Sequence, residues 1–162
     1  MGRMMETVLG VVTWVAALGC GLMAGVFFAF STFVMSGLTK LPAARGLAAM
    51  QAINISAVSG LFIAAFIGTA LACAGLVVSS LGTWSEPLSR ARVLGGAVFL
   101  LGGFAVTAAF NVPRNDALAT LNPDSADAAV AWARYVSGWT AWNHVRTVAC
   151  LAATVLLTRA LR

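Results

Sequence analysis

Four long apolar runs dominate the chain, at residues 8–33, 57–81, 93–110 and 139–157, separated by shorter polar stretches. A bilayer core about 30 Å thick needs roughly 20 helical residues to cross, and each run meets or nearly meets that length. None of the runs alternates apolar and polar residues. The strands of a membrane barrel would alternate and would be only about 10 residues long. The pattern therefore predicts an all-α protein: one membrane domain, residues 1–162, folded as a four-transmembrane-helix bundle. The first run is too long for a cleaved signal peptide, and no small-x-small cleavage site leads from it into a soluble domain.

The segments between the runs predict further helix. Pro42 is placed to open a helix through residues 43–53 into the second span. Asn122 and Pro123, followed by Asp124 and Asp127, read as a helix start, with acids near the positive end of the dipole. The second and fourth helices are thus expected to be extended by outer helical segments; a fourth helix from about residue 123 is longer than the membrane core, so it either projects beyond the bilayer or bends, with Gly138 as the bend point. Pro113 disfavours helix at Val112 and predicts a break near Asn111, which makes Arg114, Asn115 and Asp116 a turn. Ala17, Gly21 and Gly25, together with Gly95-Gly96 and Gly102-Gly103, mark places where backbones approach closely.

Composition narrows the class further. Hydrophobic residues make up 60% of the chain and charged residues 9%. Mean hydropathy is +0.93, and soluble domains carry about 25% charged residues. The net charge is +5, but the basic residues form no run, so no nucleic-acid partner is expected. Cys20, Cys73 and Cys150 form no C-x-x-C and read as small packing residues. His144 is the single histidine, so a multi-histidine metal site or bis-histidine haem cannot form within one copy. No metal or other cofactor is expected. Arg3, Arg90, Arg92, Arg159 and Arg162 fall on one side of the predicted membrane. Lys40, Arg45, Arg114 and Arg134 fall on the other, with three aspartates. The clustering at span ends predicts both termini in the cytoplasm. Nine arginines against one lysine fit a GC-rich bacterial genome, and hence a bacterial cytoplasmic membrane.

The fourth run carries the candidate chemistry. Asn143, His144 and Arg146 lie within one turn of each other, and a centrally placed arginine costs roughly 2.5–3.5 kcal/mol on insertion scales. One reading puts them at the membrane interface, with Trp139 and Trp142 as belt aromatics and Arg146 snorkelling outward. The other turns them into the bundle. Helical phase places Trp132, Tyr135, Trp139, Trp142, Asn143 and Arg146 on one stripe, which continues through the small residues Ala149, Cys150, Ala153 and Thr154. His144 lies roughly 160° from Arg146 in the same phase count. Thr107, Asn111, Arg114 and Asn115 from the third span approach the same end. So do Gln51 and Asn54 from the second, and Ser31 and Thr32 from the first. Polar groups converging from every span predict a binding site for a small molecule.

Four stretches in this order carry a resemblance: Ala-Gly-Val-Phe-Phe-Ala-Phe-Ser-Thr-Phe-Val-Met at 24–35, Met-Gln-Ala-Ile-Asn at 50–54, Asn-Val-Pro-Arg-Asn-Asp-Ala-Leu at 111–118 and Trp-Thr-Ala-Trp-Asn-His-Val-Arg-Thr at 139–147. Together they resemble the anthrone oxygenase-like membrane family. That resemblance implies an oxygenase acting on a lipophilic anthrone-type or phenolic substrate, without a familiar metal or flavin motif. Anthrone chemistry needs a base, donors for an oxyanion and an aromatic slot. His144, Arg146 and Asn143 are then the candidate catalytic residues. Gln51, Asn54, Asn111, Arg114, Asn115, Trp139, Trp142, Phe30 and Phe27 are candidates for binding. His144 acts as base only if a local bend reorients it or if a neighbouring subunit of a homo-oligomer completes the site. Otherwise the base is another group.

Two other functions compete. A non-catalytic binder or transporter of a hydrophobic small molecule fits the same spans, although proton-coupled export is disfavoured because no acid lies within them. A redox relay to quinone lacks paired histidines and a dithiol motif. The expected partners are a lipophilic small molecule and the lipid bilayer.

Overall fold

The structure, a computed structural model, describes residues 2–58 and 60–161, without the side chain of Arg3. Arg162 and the Arg3 side chain, both used above for orientation, lie outside the described residues. Those residues are all-α and contain no strand.

Among them five long helices follow one another. Helix α1 runs over Arg3–Ala29, widens into a π-helical segment at Phe30–Val34 and ends with the turn Met35–Leu38. Helix α2 spans Ala43–Val58 and α3 spans Leu61–Ser80. Between them Gly60 takes φ = 103°, a left-handed conformation that glycine adopts without Cβ strain and that breaks the helix there. Helix α4 opens with Pro87 in its first turn and runs over Pro87–Val98. It continues through π-helical segments at Phe99–Ala105 and Thr107–Asn111 into Val112–Ala119. Helix α5 spans Ala128–Arg159.

Several expectations are corrected. The helix does not break at Asn111. The widened turn ahead of Pro113 loosens the hydrogen-bond ladder where proline lacks an N–H, and Arg114 Nη1 donates to Phe110 O at 2.6 Å. Arg114, Asn115 and Asp116 are therefore helical. Helix α5 begins at Ala128, after turns that hold Pro123, and passes through Gly138 without interruption. Gly138 instead makes room for a neighbour, since a Cβ there would sit 3.0 Å from Arg114 Nε. Three helices, Met4–Leu38, Leu61–Thr83 and Pro87–Ala119, are long and apolar enough to cross a membrane. The fourth expected span, inside α5, falls short of that hydropathy because of its polar first half.

Helices α1, α3, α4 and α5 pack side by side, α1 against α3 and α5, and α4 against α3 and α5. Glycines set how closely they approach. A Cβ on Gly19 would run into Thr69 Oγ1, one on Gly96 would lie 2.8 Å from Cys73 O, and one on Gly102 would meet Ala149 Cβ. Of the first-span positions, Gly21 makes only ordinary contact with Thr154, and nothing lies near Gly25. All three cysteines are buried and free, with Cys20 Sγ 3.9 Å from Cys73 Sγ across the α1–α3 seam. A second buried cluster closes the end of the molecule that holds α2. There Leu47 and Met50 of α2 meet Leu118, Trp132, Tyr135 and Trp139. Gly46 lets α2 dock closely, because a Cβ there would lie 2.8 Å from Leu38 O and 3.1 Å from the Trp132 ring. Large apolar side chains such as Leu18, Leu71, Leu101, Val148 and Val155 face outward along the helices.

Candidate functional site

On α5 the spacing 139, 143, 146 puts three side chains on one face. All three are buried. Asn143 Nδ2 donates to Phe27 O at 2.7 Å and to Ser31 Oγ at 2.7 Å, tying α5 to the π-helical end of α1. Asn143 Oδ1 accepts from Arg146 Nη2 at 2.5 Å. Arg146 Nη1 donates to Thr107 Oγ1 of α4 at 3.2 Å. Thr147 Oγ1 lies 3.2 Å from Ser31 Oγ and donates to Asn143 O at 2.9 Å. Asn143 is therefore the anchor that aims Arg146.

The Arg146 side chain is 4% exposed and has no carboxylate partner among the described residues. Among the described residues the ion pair is elsewhere, between Arg92 and Glu6 at 3.4 Å, in the second turn of α4 and the first turn of α1. Arg146 is instead sandwiched by aromatic faces, with Cζ 4.1 Å from the Phe27 ring centroid and 5.1 Å from that of Trp139. Desolvated cation–π contacts are worth about 2 kcal/mol or more, and they partly offset burial of the charge. Arg146 Nε is buried and has no hydrogen-bond partner.

This cation lines a cavity of about 690 Å³. The floor is aromatic: Phe66 stacks on Phe62 and Phe104, with centroids 6.2 and 5.5 Å away, and meets Phe27 edge-on at 6.3 Å. The polar lining is sparse, namely Asn54, Ser56, Thr107, Asn115 and Arg146 with the Trp139 indole. Asn54 Nδ2 and Trp139 Nε1, like Arg146 Nε, are buried donors without acceptors. No histidine, aspartate or glutamate appears in this lining among the described residues.

Of the residues singled out from sequence, Phe27, Phe30, Asn54, Thr107, Asn115, Trp139 and Arg146 line the cavity. Asn143 and Asn111 are buried behind it. Asn111 Nδ2 donates to Trp139 O at 3.2 Å, while its Oδ1 is unpartnered. Gln51 is taken up by the carbonyls of Leu118 and Leu121, at 2.9 and 3.0 Å, and secures α2 to the end of α4. Arg114 bonds back to its own helix. Trp142 stacks on Phe110 at 3.6 Å with an interplanar angle of 4°, outside the cavity lining. His144 is exposed and sits in a separate groove of about 500 Å³ with Ser31, Ser36, Ser137 and Thr140. The two-residue step from Arg146 turns it to the other side of α5, and no bend brings it back. Tyr135 donates to Asn115 Oδ1 at 2.9 Å. Sequence reasoning missed the floor residues Phe62, Phe66 and Phe104. The i, i+4 pair Phe62/Phe66 was the available signal, hidden inside a uniformly apolar run.

A family model described as anthrone oxygenase matches residues 59–156. The match runs from the start of α3 almost to the end of α5. It includes Thr107, Asn143 and Arg146 and leaves Phe27, Phe30 and Asn54 outside. No curated protein and no solved structure matches the chain.

Proposed function

The chain belongs to the anthrone oxygenase family, and from that premise we propose that it is an integral membrane oxygenase which oxidises a lipophilic anthrone-type or phenolic substrate with dioxygen. In this reading α1, α3, α4 and α5 all span the bilayer as a four-helix bundle, with both termini in the cytoplasm of a bacterium. Helix α5 is tolerated there because Asn143, Arg146 and Thr147 face inward.

One observation carries the reading. A buried guanidinium without a carboxylate faces an apolar, aromatic cavity. A carbonyl-activated C–H compound fits such a place as its oxyanion. The ring system lies on the Phe66 floor, and Arg146 takes the enolate oxygen, with Asn54 Nδ2 and Trp139 Nε1 available as further donors. The cavity volume falls in the range of about 300–1,000 Å³ usual for small-molecule sites.

Loss of a proton from the activated methylene leaves an electron pair delocalised onto that oxygen. Arg146 stabilises this charge in a water-poor site, where such stabilisation is strongest. Dioxygen takes up the electrons at the carbon, a C–O bond forms, and protonation gives a hydroperoxide. Loss of water from the hydroperoxide, with the remaining C–H proton, gives the new carbonyl. The balance is one methylene compound and one dioxygen consumed, one ketone and one water formed. The methylene carbon is oxidised and dioxygen is reduced, one of its atoms entering the ketone and the other the water. With no histidine or carboxylate in the cavity lining among the described residues, the first proton passes to a water molecule inside the cavity and returns to the peroxide anion as the hydroperoxide forms, so none has to reach bulk solvent, and the protein contributes by stabilising the conjugate base. His144, in its own groove, is not assigned the base.

The test is oxygen consumption by the purified protein in phosphatidylcholine vesicles supplied with anthrone. One dioxygen consumed per anthraquinone formed, faster than in empty vesicles, is the expected result. An unchanged rate with ligand-induced thermal stabilisation would leave a non-catalytic binder and overturn the oxygenase.

A further inference from the structure

The same cavity has two walls of opposite character. Its cationic wall lies inward, on α5. Its other side is formed by the end of α2, the first turns of α3 and the facing stretch of α4 around Ala108 and Val112. Apart from Ser56, the outward-turned side chains around that side are apolar: Ile55 is 73% exposed, Val58 71%, Leu61 90% and Val112 42%. No charged residue occurs between Arg45 and Glu86, nor between Arg92 and Arg114. The stretches 46–85 and 93–113, which flank the opening, are therefore free of charge. The route from water at the neighbouring end is blocked by the buried cluster of Leu47, Met50, Leu118, Trp132, Tyr135 and Trp139, each no more than 7% exposed.

From this geometry we infer that the cavity opens sideways into the hydrocarbon of the bilayer, through a mouth between the α2–α3 junction at Gly60 and α4, and that lipophilic molecules reach Arg146 from the membrane rather than from water. The inference rests on the proposed function only for the identity of the occupant, which is the substrate in its neutral form. An anion does not partition into hydrocarbon. The neutral acid enters through the mouth and ionises at the guanidinium. An exposed apolar rim of this kind would be a liability in water and is at no disadvantage against acyl chains.

The mouth is tested in the full-length protein with single cysteines at Val58 and Leu61, the native cysteines being buried. Each is spin-labelled in phosphatidylcholine vesicles, and its collisions with dioxygen and with a water-soluble nickel chelate are compared. Leu71→Cys on the outward face of α3 serves as the lipid reference, and Ser125→Cys in the α4–α5 turn as the water reference. Labels at Val58 and Leu61 are expected to lose nickel collisions to the level of Leu71. Nickel collisions like those of Ser125 would overturn the lateral mouth, whatever the oxygen electrode reports. A lipid-facing mouth together with no anthrone oxidation would sink the oxygenase and leave the mouth standing.

Discussion

A guanidinium withdrawn from water keeps its charge only where hydrogen bonds and aromatic faces replace hydration, and Arg146 has Asn143 Oδ1, Thr107 Oγ1, Phe27 and Trp139 for that purpose. It lacks a counter-ion, which the ligand is proposed to supply. Arg146→Met is therefore expected to separate stability from function. The variant relieves a buried charge but strands Asn143 Oδ1, a loss of about 1–3 kcal/mol, so its melting temperature without ligand should change little. Anionic ligand affinity should fall by roughly 10- to 150-fold, the equivalent of one charged hydrogen bond. Calorimetry and ligand titration on the same sample check both halves. His144→Ala lies in the other groove and should alter oxygen uptake by no more than about twofold, the size of an ordinary surface substitution. A large loss would place the imidazole in the reaction after all. Helical phase already separated these two residues in the sequence, and it placed Trp139, Asn143 and Arg146 inward. Their partners were not legible, because Phe27 O and Thr107 Oγ1 come from helices whose rotation no linear pattern fixes.

At the scale of elements, the long apolar runs gave the helices away, and their ends were the difficult part. Proline at 113 reads as a break, yet two π-helical segments lead α4 up to it and Val112–Ala119 continues beyond it. The widened turns depend on packing against α5, which a local rule does not contain. In the same way, the break at Gly60 follows α2 and detaches Gln51 and Asn54 from the span that comes next. The small residues of the third run marked a true contact. Gly96 meets the backbone carbonyl of Cys73, which cannot move aside as a side chain can. Gly96→Ala should therefore destabilise by about 1–3 kcal/mol. Gly10→Ala, with nothing within 4 Å of its Cβ position, should be neutral or stabilise by up to about 1 kcal/mol. Thermal melts of both variants in one detergent check the contrast.

For the whole molecule, the layout is a bundle capped at one end by α2, with a cavity under the cap that holds one cation and no titratable base in its lining among the described residues. The pH dependence should then belong to the ligand. Oxygen uptake should rise with pH through the bound ligand's pKa and level off above it. Arg146 lowers that pKa, since an opposite charge at close range favours the ionised form by about 1–3 pH units. Removing the charge in Arg146→Met should move the midpoint up by the same amount, towards the free ligand. Whether the cavity holds its ligand as an oxyanion on Arg146 is read from an anaerobic absorption titration with anthrone in phosphatidylcholine vesicles below the ligand's own pKa. The wild-type protein is expected to draw out the enolate spectrum, and Arg146→Met is not. An enolate band of equal strength in the variant, or none in the wild type, would contradict an oxyanion held on Arg146.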